Sequence, residues 1–247
     1  MLLRLRRSGI RFWSLPTRRR RGYNLPTKRL KKRSGAGSKP RLTLIDHPLI
    51  RRDLTLLRDR STPSNIFRSV LRRVASLMAY QVTDDLNVRR ISVMTPLEKT
   101  TGFSVSDSVI LVPILRAGLG LVGGFVEVLP EARVGHIGLY RDEVTLKPVD
   151  YYLKFPRRLR PALVIVLDPM LATGGSATSA ITLLREKGAE RIRFVCLVAA
   201  PEGVDLLART HPDVRVYTCA LDRRLNKQGY ILPGLGDAGD RIFGTAE

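Results

Sequence analysis

Asp168 stands at the end of the apolar run Leu163-Val164-Ile165-Val166-Leu167 and opens the stretch Pro169-Met170-Leu171-Ala172-Thr173-Gly174-Gly175-Ser176. An unbroken apolar run of that length reads as a strand buried on both faces, as in a parallel sheet. The acid therefore falls at a strand's carboxyl end. Downstream, Ala177–Lys187 reads as a helix, with Ile181 and Leu184 on one face and Gly188 as its stop. Strand, acid, glycine-containing loop and helix form a design for a sugar phosphate. Backbone N–H groups and the helix dipole attract the phosphate, the glycines let it approach, and the carboxylate accepts from ribose hydroxyls. A Walker loop would need Lys where Ser176 stands, and a dinucleotide fingerprint would need three spaced glycines. An ordinary helix start behind a buried strand could carry the same residues, so the loop does not decide alone.

Two arginines occupy similar places. Ser108–Leu115 reads as a second buried strand running into Arg116-Ala117-Gly118-Leu119-Gly120, the start of a small-residue helix reaching about Leu129. Val134–Tyr140 reads as a third strand and ends at Arg141-Asp142-Glu143. An Arg at a strand's carboxyl end suits an anion, since open α/β sheets bind ligands at that edge. The stretch from Asp222 to Arg241 is dense in glycine, with Pro233 among them, and predicts a loop exposing backbone N–H and C=O groups. A planar base can be read by such groups.

The elements that must position these loops follow in alternation. Arg51–Arg60 predicts a charged amphipathic helix. Thr62 is expected to cap a second one, with Pro63 at its first position and Ile66, Phe67, Val70, Leu71, Val74, Leu77 and Met78 as its core stripe. Val144–Arg160 reads as a hairpin or flap. Ile192–Ala199 and Val214–Cys219 read as strands with a short helix, Val204–Thr210, between them. Residues 89–107 carry no recognisable motif. The βαβα order predicts an α/β fold with a mostly parallel sheet flanked by helices.

The 247 residues carry a net charge of +21 and 44% hydrophobic residues, enough for a core. The charge is localised. Residues 1–41 hold 15 Lys/Arg and no acid, while the remaining 206 hold 28 Lys/Arg against 22 acids. The division expected is a disordered basic extension over 1–41 and a folded domain over 42–247. The extension reads as an organelle transit peptide, a nucleic-acid contact or an over-extended start. Cys196 and Cys219 read as buried thiols in a reducing compartment. His47, His136 and His211 show no metal spacing, and no apolar run is long enough to span a membrane.

The Asp168–Ser176 stretch resembles the phosphoribosyl-diphosphate (PRPP) loop of type I phosphoribosyltransferases, with Pro169 replacing a second acid as in the uracil branch. Four further motifs occur in that branch's order: Val112–Gly120, Tyr140–Glu143, Val198–Gly203 and Gly229–Asp240. The chain from about 42 to 245 is thus similar to uracil phosphoribosyltransferases. The resemblance implies transfer of phosphoribosyl from PRPP to uracil, giving UMP and diphosphate in pyrimidine salvage. It places Asp168, Pro169, Met170, Leu171, Ala172, Thr173, Gly174, Gly175 and Ser176 on the ribose and 5′-phosphate. It places Arg116 and Arg141 at the diphosphate, and Asp168, Arg116 and Arg141 as the catalytic set. Ile231, Gly236, Asp237 and Ala238 would read uracil through backbone groups, with Asp237 also near PRPP. It implies Mg²⁺ held mainly through the diphosphate with no dedicated protein cage, a homo-oligomer, GTP as a candidate effector, no membrane, and a cytoplasmic or organellar location. Two alternatives stand beside it: a transferase for another base, and a transferase-derived RNA-binding regulator, for which a basic face on the folded domain would be the mark.

Overall fold

The computed structural model describes residues 42–141 and 148–245. The chain opens with β1 (Leu42–Leu44), α1 (Pro48–Arg58), α2 (Ser64–Val82), β2 (Val88–Met94), β3 (Lys99–Val105), β4 (Val109–Leu115) and α3 (Leu119–Val128). It continues with β5 (Arg133–Val134), β6 (His136–Arg141), β7 (Pro148–Lys154), β8 (Leu163–Leu167), β9 (Met170–Leu171), α4 (Gly175–Glu186) and β10 (Arg191–Ala199). It closes with α5 (Pro201–Thr210), β11 (Arg215–Leu221), β12 (Arg224–Leu225), β13 (Ile231–Leu232) and α6 (Ala238–Phe243).

The main sheet runs β1-β11-β10-β8-β4-β6-β7, with β5 pairing β4 and β9 pairing β10. Every pairing in it is parallel except β6 with β7. Parallel strands need crossovers, and the helices supply them on both faces. Alternate residues of each strand therefore enter different cores. Leu111, Ile165, Leu167, Val195 and Leu197 pack with Phe67, Leu71, Val74 and Met78 of α2 and Leu121 and Phe125 of α3. Ile110, Val112, Val164, Val166, Phe194 and Cys196 pack instead with Ile181 and Leu184 of α4 and Leu207 of α5. Double burial explains why these strands read as unbroken apolar runs. Both cysteines are buried and unpaired. No helix among the described residues is long and apolar enough to cross a membrane.

Several boundaries differ from the sequence expectations. Thr62 does not cap α2: Pro63 holds that place, and the Thr62 hydroxyl donates to Leu56 O at 2.7 Å. α5 begins at Pro201 rather than Val204, because Pro fits the first helical position and its missing N–H costs nothing there. The third strand is split at Gly135, whose N–H turns to Leu111 O. Gly188 has φ +88° and ends α4, with Ala189 N–H donating to Leu184 O as a Schellman turn requires. β2 and β3 form an antiparallel hairpin separate from the main sheet, exposing Val88, Met94, Leu97 and Phe103. Of the expected flap, β7 pairs with β6, while residues 144–147, like Asp142 and Glu143 of the preceding motif, lie outside the described residues. The C-terminal stretch is more ordered than a loop: β12 and β13 form a small ribbon, and α6 follows.

Candidate active site

Asp168 sits just past β8, where the sheet ladder is interrupted. Its N–H donates to Val195 O at 3.1 Å, and Pro169 O accepts from Leu197 N at 2.9 Å. Proline is tolerated at such a break because no N–H is asked of it. The Asp168 carboxylate accepts from Met170 N–H at 3.2 Å. Burial pushes its pKa up to about 7, the negative charge of Asp237 adds to the rise, and the Met170 bond opposes it. This coupling puts the acid of the first loop beside the acid of the C-terminal loop.

From Asp168 the chain wraps a cleft of about 210 Å³ lined by Met170 through Ala177. Gly174 takes a left-handed turn at φ +84° and starts α4, and no side chain caps that helix. The first intrahelical bond runs from Thr178 N–H to Gly174 O, so the amides of Ser176 and Ala177 precede it and are not used within the helix. The cleft therefore ends on a cradle of backbone N–H groups, which with the helix dipole suits a phosphate. Gly203 holds the cradle from behind. A Cβ there would lie 2.4 Å from Ala172 O and 2.9 Å from Leu171 O, closer than any side chain permits. Glycine thus lets the first turn of α5 press against the loop.

Arg116 follows β4 directly. Gly118, two residues on, lies where a Cβ would be 2.3 Å from Leu167 O, so the start of α3 packs on the end of β8. The Arg116 guanidinium is 58% exposed, 3.4 Å from Asp240 Oδ1 and 5.8 Å from the Phe243 ring centre. One weak, solvated pairing leaves most of its five donors available. Asp237 caps α6 by accepting from Asp240 N–H at 3.0 Å. A Cβ on Gly239 would sit 3.2 Å from Asp237 Oδ1 and 3.9 Å from Arg116 Nη2, so these three residues share one corner.

The β12–β13 ribbon closes the other side. A Cβ on Gly229, at its turn, would lie 3.7 Å from Thr173 Cγ2. Glu202 of α5 accepts from Leu225 N–H at 3.0 Å, and that bond holds its carboxyl below the usual range. Ile231 is buried in the core opposite Leu225, Gly236 and Asp237 are exposed, and Ala238 is buried. The strand-end acid, the anion cradle, a weakly paired guanidinium and the glycine-rich C-terminal loop are therefore neighbours, although they come from four separate parts of the chain.

A family model described as uracil phosphoribosyltransferase matches residues 44–245. The chain belongs to the uracil phosphoribosyltransferase family. Curated proteins of that name from Finegoldia magna and Salinibacter ruber are each 55% identical to it over 206 residues. That span is 83% of this chain and 99% and 98% of theirs. Among solved structures, the AQ2163 protein of Aquifex aeolicus is similar at TM-score 0.79 and 33% identity, covering 83% of this chain and 99% of its own.

Of the residues the family resemblance singles out, Asp168 and Met170 through Ser176 line one cleft, with Pro169 buried behind it, and Arg116 and Asp237 meet around Gly239, next to the buried Ala238. Arg141 ends β6, whose parallel pairing with β4 at Leu115 and Gly138 carries it toward the same sheet edge; its side chain lies outside the described residues. Ile231 can offer a ligand only backbone atoms, since its side chain is core. Gly118, Glu202, Gly203 and Gly229 belong to the motifs of the uracil phosphoribosyltransferase resemblance, but sequence reasoning gave none of them the packing role it has here. Each lies within a quoted motif or beside one, but its partner is distant in sequence.

Proposed function

We propose that this chain transfers the 5-phosphoribosyl group of PRPP to uracil, releasing diphosphate and UMP. Family membership across 44–245 supplies the reaction, and the meeting of the anion cradle with the Asp237 loop supports it physically. The C1′–O bond to diphosphate breaks, the bond from uracil N1 to C1′ forms, and N1 gives up its proton. Positive charge builds on the sugar as the leaving group departs. Groups that neutralise the diphosphate lower that barrier, and Arg116 and Arg141 are assigned to it. Asp168 is assigned to the ribose hydroxyls, the Thr173–Ser176 amides to the 5′-phosphate, and the backbone around Ile231 and Gly236–Ala238 to the base.

The residues present fit Mg²⁺ carried by its substrate. No cluster of three or more His, Cys, Asp or Glu among the described residues could hold an ion unaided. Asp168 and Asp237 instead bring two carboxyl groups together beside the cleft, and a cation there would favour the ionised form of both, which suits a hard ion held mainly by diphosphate oxygens and water. When bound, the ion supplies further neutralisation of the leaving group.

The expected substrate preference follows from the chemistry of the base. Cytosine replaces the uracil 4-carbonyl by an amine and turns N3 from donor to acceptor. Backbone groups set for uracil would then be left unpaired at two positions, a penalty of ~1–3 kcal/mol each. Incubation with PRPP, Mg²⁺ and either base, followed by chromatography of the monophosphates, should show UMP and no CMP. Comparable turnover of cytosine or hypoxanthine would overturn the assignment to uracil and favour a transferase for another base.

The catalytic domain is assigned to 42–247 and the basic extension to 1–41, since all site residues and the matched span lie beyond the extension. Free buried cysteines favour a reducing compartment, the cytoplasm or an organelle reached through the extension. The β2–β3 hairpin, with Leu97 96% and Met94 72% exposed, supports a homo-oligomer that covers it. Deleting 1–41 should leave kcat/KM, melting temperature and the number of subunits by light scattering unchanged, with the mass of each form a multiple of its own monomer's. A large loss of activity or stability on deletion would place the extension within the working structure.

A further inference from the structure

Arg58 and Asp222 lie 164 residues apart and form a two-pronged ion pair. Arg58 Nη2 donates to Asp222 Oδ1 at 2.7 Å and Nη1 to Oδ2 at 2.9 Å. The pair then takes both backbone groups of one residue. Gly234 N–H donates to Asp222 Oδ2 at 2.9 Å, and Gly234 O accepts from Arg58 Nη1 at 2.7 Å. Asp222 is 7% exposed and Gly234 is buried, so this is an internal bracket rather than a surface contact. Gly234 is also the tight point of its loop: at φ +60° it closes on Ile231, where a Cβ would lie 2.2 Å from Ile231 O.

We propose that Arg58 and Asp222 are positioning residues for the base-reading loop, setting where the Gly234–Ala238 backbone stands and hence how tightly and selectively the base is held. This rests on the assignment of that loop to uracil. Burying an ion pair is a poor way to add stability, because two charges must be desolvated for one attraction. Its advantage here is directional, since a planar guanidinium fork and a carboxylate fix the orientation of a single peptide unit. From Gly234 the chain reaches Gly236 in two residues and the capping Asp237 in three, too short a span to absorb an error at its start. A second anchor holds the far end. Arg241 donates to Leu235 O at 3.0 Å and to the carbonyls of Leu57 and Asp59, on either side of Arg58, while stacking 4.5 Å from the Phe67 ring centre. The end of α1 is thereby bound to both ends of the loop, although no α1 residue lines the cleft.

Asp222→Ala would leave the guanidinium of Arg58 without its carboxylate and could simply unfold the loop. The informative variant is Arg58→Met with Asp222→Asn, which removes both charges together and keeps a carbonyl to accept from Gly234 N–H. The full-length protein carrying both changes should stay folded by circular dichroism. KM for uracil should rise about tenfold, the equivalent of one ordinary hydrogen bond's worth of misplacement, ~1.4 kcal/mol. KM for PRPP should hold within about twofold, a change under ~0.5 kcal/mol. Arg58→Lys, which keeps charge but loses the fork, should show the same split. A folded double variant with unchanged KM for uracil, or with both KM values raised alike, would overturn the positioning role. Wild-type protein inert toward uracil in the same assay would instead overturn the parent assignment, and the role with it.

Discussion

Asp168→Asn should make the free protein more heat-stable near neutral pH and a much poorer user of PRPP. The two effects have one cause. Asp168 lines the cleft, where it is proposed to accept from ribose hydroxyls, and no cation among the described residues pairs with it. Burial and the neighbouring charge of Asp237 raise its pKa to about 7, against about 3.9 in an unfolded chain. The folded state thus holds a proton that the unfolded state releases between those values. Stability from this group is complete below about pH 4, falls as pH rises and is lost by the time pH passes through about 7. A fully dry carboxyl would contribute ~4 kcal/mol to that fall, at about 1.4 kcal/mol per pH unit. Asp168 keeps a partly exposed edge, so solvent screening reduces the expectation to ~2 kcal/mol. Melting curves from about pH 4 to pH 8 should decline for the wild type and run flatter for the variant, which should melt several degrees higher at the alkaline end. In steady-state assays the same variant should lose roughly 10- to 150-fold in kcat/KM for PRPP, the worth of one charge-assisted hydrogen bond at ~1.5–3 kcal/mol. A variant with wild-type kinetics at low PRPP would remove Asp168 from the ribose site; parallel melting curves would show that its carboxyl is not strained in the free protein.

Arg116→Ala should bring the larger catalytic loss with little change in stability. Its side chain is 58% exposed, its guanidinium meets Asp240 alone at 3.4 Å among the carboxylates of the described residues, and it stacks loosely on Phe243, so folding gains little from it. Its position directly after β4, beside Asp237 and Gly239, suits the diphosphate end of PRPP. Charge accumulates there as the C1′–O bond breaks, so a fixed cation acts more strongly in the transition state than in the bound substrate. By analogy with the loss of a single preorganised donor at such a charge, kcat should fall ~10²–10³-fold, or ~2.7–4 kcal/mol. Arg116→Lys should recover only part of it, because an ammonium cannot make the two-pronged contact. Pre-steady-state measurement of UMP formation with melting temperature measured alongside checks both halves. A drop in melting temperature matching the loss of activity would make Arg116 structural; unchanged kcat would assign the diphosphate to other groups.

The features visible in the amino-acid sequence were those written in contiguous residues. Five apolar residues ending in Asp168 suffice to place a doubly buried strand, because double burial leaves no polar side of the strand to mark. The helical spacing after Gly174 and Gly175 suffices to place a helix behind the loop, although α4 starts at Gly175, two residues before the expected Ala177. The same holds for Arg116 after β4 and for the α2 core stripe, apart from Ile66, which is 45% exposed because the stripe is read one residue too wide at the helix start. Alternation of strands and helices then implies the parallel sheet, since crossovers admit few other arrangements.

What lay outside local pattern was decided by contacts between distant segments. Arg58 looks like one more charge on an amphipathic helix until Asp222 and Gly234 close around it. Gly203 looks like the last residue of a strand-end turn until the carbonyl of Ala172 occupies the space its Cβ would need. Glu202 looks like an ordinary first-turn acid until its carboxyl also takes the N–H of Leu225 and holds the ribbon. Thr62, a good cap by composition, instead stands one residue before the cap position and donates to Leu56 O of α1. Such contacts leave no periodic trace, since neither partner's neighbours need any particular character. Only the closing of the chain brings an acid, an anion cradle, an arginine and a glycine-rich loop to one sheet edge.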